Sequence, residues 1–212
     1  MSPELSALVL SLEVAALGTL GAALLGVPLA WVLARREFLG KALVEAFVVL
    51  PLVLPPVVTG FALLWLFGRG SVFPIAFTTV GAALVAGVMG FPLFVRTLRV
   101  AFEAVDPRLE QAARSLGANP LVTFRRVTLP LAAPGLVAGA LLCFARALGE
   151  FGATITFAGN IEGETRTLTL AIWSAMQSPG VDPWPLVGLS AALSVGAVVL
   201  GEVLLRRARR SR

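Results

Sequence analysis

The chain has no histidine and no tyrosine among its 212 residues, and its only aspartates are Asp106 and Asp182. A membrane enzyme needs residues of those kinds to hold metals or move protons, so metal-assisted hydrolysis and metal-dependent head-group transfer lose their footing. A glycine-rich loop followed by lysine, the usual cradle for nucleotide phosphates, is missing too. If the protein moves a solute uphill, the energy comes from a partner. The single cysteine, Cys143, excludes a disulfide within one chain. Charge is also scarce, at 14% of residues.

What fills the chain instead is apolar: 58% hydrophobic residues and a mean hydropathy of +0.91 mark a membrane protein. A hydrocarbon core of roughly 30 Å takes about 20 apolar residues to cross as a helix. Five runs meet that length: 5–34, 42–67, 75–95, 131 to about 149, and 186–205. The first run could be read as a cleaved signal peptide. Against this, no Lys or Arg precedes it, Glu4 and Glu13 lie in its opening, and it is about twice the length of a signal core. A retained helix is the expectation.

Positive charge gathers in short cytoplasmic loops, which orients the spans. Arg35, Arg36 and Lys41 fall between runs one and two, and Arg96, Arg99, Arg108, Arg114, Arg125 and Arg126 between three and four. Arg206, Arg207, Arg209, Arg210 and Arg212 form a basic tail over 206–212, while the opposite side holds Arg69 and Arg166. Five crossings then place the N-terminus outside and the C-terminus in the cytoplasm. The net charge of +5 does not indicate nucleic acid, because these residues sit at helix ends where topology alone requires them.

The cytoplasmic stretch 103–130 contains QAARSLGANPLVTFRRVTLP from Gln111 to Pro130. Helix formers run from Glu110 to Leu116, with Ala112, Ala113 and Leu116 along one side. Gly117 permits a sharp turn, Asn119 caps and Pro120 opens a second short helix, and Pro130 begins the next span. Two short helices joined at a glycine make a shape that fits a cleft in another protein; the plainer alternative is a solvated loop. A stretch this long favours docking in so economical a chain.

Other features are read from the spans. Arg146 and Glu150, four apart in run four, either neutralise each other or line a path for an anion. Pro51, Pro55 and Pro56 in run two, and Gly87, Gly90 and Pro92 in run three, point to kinked helices along a pathway. Gly18, Gly21, Gly188 and Gly196 suit helix packing. The outer loop 150–185 has two apolar pieces too short to cross, which predicts re-entrant or interfacial helices.

The order Gln111, Ala112, Ala113, Gly117, Val127, Leu129, Pro130 resembles the EAA loop of ABC-importer permeases, with Gln111 in the place of that pattern's Glu and Glu110 just before it. With LPLVLPPVVTGFALL from Leu50, FPLFVRTLR from Phe91 and FARALGEFGATITFAGNIEGETRT from Phe144, the chain is similar to the molybdate permease family over nearly its whole length. Sulfate and thiosulfate permeases share the motif around Gly149.

The resemblance implies an all-α type I importer permease fold in a bacterial or archaeal cytoplasmic membrane. It implies a second copy of the chain, two cytoplasmic ATPase subunits that carry the ATP and Mg, and an extracytoplasmic oxyanion-binding protein. No cofactor is expected on this chain. ATPase docking falls by resemblance to Gln111, Ala112, Ala113 and Gly117, with Glu110, Leu116, Ala118, Asn119, Phe124, Leu129 and Pro130 beside them. Arg146, Glu150, Pro55 and Pro56 are the candidates for a pathway or gate. A stand-alone secondary transporter is the remoter alternative, and no internal repeat of the kind such proteins show is visible.

Overall fold

The computed structural model describes residues 3–210, and all regular structure among them is helical. In chain order the helices are α1 (Pro3–Arg35), α2 (Lys41–Val53), α3 (Pro56–Phe67), α4 (Thr79–Glu103), α5 (Pro107–Ser115), α6 (Pro120–Thr123), α7 (Leu129–Leu148), α8 (Gly152–Phe157), α9 (Leu168–Gln177) and α10 (Trp184–Arg210). A π-helical turn, Phe124–Thr128, joins α6 to α7. In hydrocarbon each backbone N–H and C=O must find its partner within the protein, and a helix does so segment by segment.

Four helices are long and apolar enough to cross: α1, α4, the continuous stretch Pro120–Leu148, and α10. α1, with 33 residues, reaches about 50 Å and so overshoots the hydrocarbon. Its last residue is the charged, half-buried Arg35. The expected second span is broken. Pro55 and Pro56 remove two consecutive donors, Leu54 is held extended before them (φ −70°, ψ 144°), and α2 and α3 diverge by 114°. With 13 and 12 residues, each arm is too short to cross alone. Pro51, also expected to kink the chain, stays inside α2.

α4 is the hub. It lies between α1 and α7, and its Phe94, Leu98 and Phe102 are fully buried against Ala30 and Leu33 of α1 and Ala132 and Cys143 of α7. The backbones approach closely because glycine permits it. A Cβ on Gly87 would stand 2.7 Å from the Gly18 carbonyl oxygen, and one on Gly90 would stand 2.5 Å from Cys143 Sγ and 2.9 Å from the Cys143 carbonyl oxygen. In this chain Gly87, Gly90 and Pro92, expected on a kinked helix along a pathway, serve helix packing. Pro92 is buried within α4 and the two glycines are packing sites. Conversely, Gly21, Gly188 and Gly196, expected to pack, meet nothing within 4 Å in this chain.

At the end opposite Arg35, α8 packs on α3 and α4 with Phe157 and Ala158 fully buried, and α9 packs on α1 and α10. The connections are polar and specific. Ser11 Oγ on α1 accepts the Leu168 amide at 2.7 Å, and Thr79 Oγ1 donates to the Glu164 carbonyl at 2.8 Å. α10 is the least covered span, with 6% of its apolar window buried. It runs through Arg210, so the expected basic tail 206–212 begins as helix. Side chains of 204–210 and residues 211–212 lie outside the described residues.

Gly90→Val is expected to force α4 and α7 apart, at about 1–3 kcal/mol for overpacking, and to lower the melting temperature in detergent. Gly21→Val is expected to leave it unchanged. Equal melting temperatures for both variants would contradict this packing.

Candidate functional site

The segment outside the spans at the Arg35 end is built by local rules. Asp106 Oδ1 accepts the Arg108 amide at 2.9 Å and Pro107 opens α5. At the other end Gly117 sits at φ +87°, its amide bonds the Arg114 carbonyl (2.9 Å) and the Ala118 amide bonds the Ala113 carbonyl (3.1 Å). That is a Schellman ending, which needs the left-handed region that glycine enters freely. Asn119 Oδ1 then accepts the Val122 amide at 2.8 Å to start α6 behind Pro120. The turn at Gly117 and the cap at Asn119 stand where the spacing predicts them, and the Asp106 cap was not foreseen.

The second short helix is not separate, however. α6 flows through the π turn into α7, and the Leu129 amide reaches back to the Phe124 carbonyl. The widened turn has a physical cause in Pro130. A proline has no N–H to give and its ring crowds the carbonyl four residues back, and an i→i+5 turn just ahead makes room for it. Pro130 therefore continues a helix where the sequence predicted a start.

The outward face of this segment is Gln111, Ala112, Leu116, Gly117, Asn119 and Leu121, all exposed, with Ala113 and Ala118 half-buried. Leu116 is 90% exposed and Leu121 63%, which is costly in water and marks a surface that expects cover. Between α5 and α6 lies a cleft of about 350 Å³ floored by Ala113, Gly117, Ala118 and Val122. Other residues expected at the docking surface turn inward. Phe124 packs on Trp31 (5.6 Å between ring centroids) and Phe102 (6.0 Å), and Leu129 is half-buried.

Glu110 turns inward as well, at 7% exposure. Its Oε1 accepts from Arg35 Nη2 at 2.9 Å and from Thr128 Oγ1 at 2.8 Å, and its Oε2 lies 3.9 Å from Arg114 Nη2. Arg35 Nη2 also donates to the Val105 carbonyl at 3.0 Å. Arg35 and Thr128 were missed by sequence reasoning: Arg35 counted only as topology charge, and the only hint was an acid beside the place where the EAA pattern has its Glu.

The second group of candidates gathers round the first turn of α8. Glu150 is 3% exposed, and its Oε2 pairs with Arg146 Nη2 at 2.7 Å. Its Oε1 accepts the Ala153 amide (2.8 Å) and its backbone carbonyl accepts Thr169 Oγ1 (2.8 Å). α7 ends at Leu148, so the pair closes across a helix end and ties α7 to α8 and α9. Pro56 joins the same neighbourhood, 3.0 Å from where a Cβ on Gly152 would stand, and Pro55 caps α3 at the break. Glu150 is spent on structure, while Arg146, half-buried, keeps an accessible face. Among the described residues no group of three or more His, Cys, Asp or Glu could hold a metal.

Asn119→Ala is expected to cost about 1 kcal/mol of local helix stability, seen as faster hydrogen exchange at the Val122 amide with the spans unaffected. Unchanged exchange there would contradict the capping geometry.

A family model described as "Binding-protein-dependent transport system inner membrane component" matches residues 26–209. The molybdenum transport system permease protein ModB of Escherichia coli K12 is 47% identical over 98% of this chain and 96% of its own length. The sulfate transport system permease protein CysT of Salmonella typhimurium is 35% identical over 85% of this chain and 65% of its own. Among solved structures, the inward-facing MetNI methionine ABC transporter superposes with a TM-score of 0.68 at 19% identity, covering 98% of this chain and 99% of that one, a likeness of fold. With that match extending from the second half of α1 to the end of α10, the chain belongs to the binding-protein-dependent transport system inner membrane components.

Proposed function

We propose that this chain is the membrane-spanning subunit of an ATP-driven molybdate importer in a bacterial or archaeal cytoplasmic membrane. Two copies would form the permease, and two cytoplasmic ATPase subunits would bind at α5 and α6. An extracytoplasmic binding protein would deliver the oxyanion to the opposite end, near α8 and α9. ATP and Mg would be held by the ATPase, leaving this chain non-catalytic. Molybdate is favoured over sulfate by the higher identity and fuller coverage of the molybdenum permease, and tungstate, a dianion of nearly the same size, belongs to the same substrate class.

The observation that carries the reading is the exposed α5–Gly117–α6 turn. It presents Leu116 and Leu121 beyond the lipid, at the end where Arg35, Arg36, Lys41, Arg108, Arg114, Arg125 and Arg126 gather. Excess positive charge supports a cytoplasmic position for that end, hence an outside N-terminus and a cytoplasmic C-terminus. Closure of two ATPase subunits on ATP would move the turn, and packed helices pass such a displacement on as rigid bodies. At the far end Arg146, held by Glu150, would supply positive potential toward a dianion, on the side of the protein where α2 and α3 bend apart.

Uptake of labelled molybdate into vesicles holding this chain, its neighbouring ATPase and the added binding protein is expected to require ATP and to resist excess sulfate. Uptake abolished by sulfate would move the chain to the sulfate branch, and uptake without the ATPase would overturn the reading. Gly117→Trp, which adds bulk to the outward turn and about 1–3 kcal/mol of backbone strain, is expected to abolish co-purification with the ATPase while the chain still inserts. Arg146→Gln is expected to lower uptake more than it lowers the amount of protein in the membrane. Equal losses would make the Arg146–Glu150 pair structural only.

A further inference from the structure

We propose that Arg35 and Glu110 are positioning residues that tie the ATPase-facing helix α5 to α1, so that movement of α5 reaches the membrane spans through one buried ion pair. The inference rests on the reading of the α5–α6 turn as the ATPase contact. Glu110 is too buried to touch a partner protein, although it stands next to outward-facing Gln111 on the same short helix. Its neighbours are instead the ends of other elements.

α5 has few other holds on the bundle. Its main packing is against α6 and the π turn, which belong to the same segment. Arg35 comes from 75 residues earlier in the chain, at the tip of a helix that runs the full depth of the protein. Its Nη2 grips both Glu110 and the Val105 carbonyl, which lies in the link between α4 and α5. Glu110 Oε1 in turn holds Thr128 in the π turn at the root of α7. Four segments, α1, the link from α4 to α5, α5 itself and the π turn ahead of α7, therefore meet at one carboxylate and one guanidinium.

The chemistry suits transmission better than mere adhesion. Apolar side chains of similar volume hold a buried contact about as firmly as an ion pair does, but tolerate sliding, whereas a charged pair with shared hydrogen bonds has one geometry. The π turn beside it is a place where helix hydrogen bonding is already irregular, and such turns are frequent at functional sites. Displacement of α5 thus pulls on α1 through Arg35 and on α7 through Thr128. α4, clamped between α1 and α7, follows.

The test uses the complete complex in proteoliposomes, with partner ATPase and binding protein, and compares wild type with Glu110→Gln and Arg35→Lys. Three quantities are read: permease-to-ATPase stoichiometry, ATP hydrolysis, and oxyanion moved per ATP hydrolysed. Stoichiometry and hydrolysis are expected to stay within about twofold of wild type, while oxyanion moved per ATP falls on the order of tenfold, within the usual span of coupling between sites. An unchanged ratio in both variants would overturn the proposal. So would transport and hydrolysis falling together with loss of the ATPase, which would make Glu110 a docking residue.

The double variant Arg35→Met with Glu110→Met removes both buried charges at once and keeps volume, guarding against simple misfolding. It is expected to assemble and to show the same uncoupling, and full coupling in it would overturn the proposal. The ratio is taken with whichever oxyanion the wild type carries, so a wrong substrate assignment leaves the test standing. Failure of the wild-type chain to bind the ATPase would refute the underlying reading instead.

Discussion

A guanidinium at the tip of a long membrane helix, closed on a carboxylate of a short helix beyond the lipid, gives this fold its mechanical continuity. Without the Arg35–Glu110 contact, α5 would be a nine-residue helix held by its own flanking turns. With it, the polar segment is bolted to the longest helix of the protein. Removing one partner of such a buried pair strands a charge, at about 3–5 kcal/mol, so the pair also fixes the register of everything around it.

The remainder of the architecture follows from backbone hydrogen bonding in hydrocarbon. Helices cross whole or break where the backbone finds other partners, and beyond the break at Leu54–Pro55 the arm α3 packs on α8, whose Ala153 and Phe157 are buried against α3 and α4. Close glycine crossings let α4 sit between α1 and α7 with little space lost. The result is a stiff three-helix centre flanked by a bent pair on one side and a loosely held α10 on the other.

What was legible in the sequence is what is local. Gly117, Asn119 and Pro120 act through their own backbone preferences, and they do in the fold what the spacing predicts. Pro55 and Pro56 announce a break for the same reason, though the bend of 114° depends on what packs against it. The EAA spacing groups together residues that the fold divides between two faces: Gln111, Leu116 and Gly117 outward, Glu110 and Phe124 inward. That division is set by Arg35, Trp31 and Phe102, distant in sequence, and no local pattern encodes it. Gly87 and Gly90 illustrate the same limit, since a glycine beside a cavity and one beneath a crossing helix look alike until the neighbour is known.

The central claim is that the α5–Gly117–α6 turn faces an ATPase subunit while its other side is locked to the spans. Cysteine substitution with thiol cross-linking in membranes holding the assembled complex tests this most directly, because the one native cysteine, Cys143, is buried within α7. Leu116→Cys is expected to capture the ATPase subunit in a yield that changes when ATP is added, and Phe124→Cys is expected to capture nothing. Capture from Phe124, or none from Leu116 in a complex that still transports, would contradict the account.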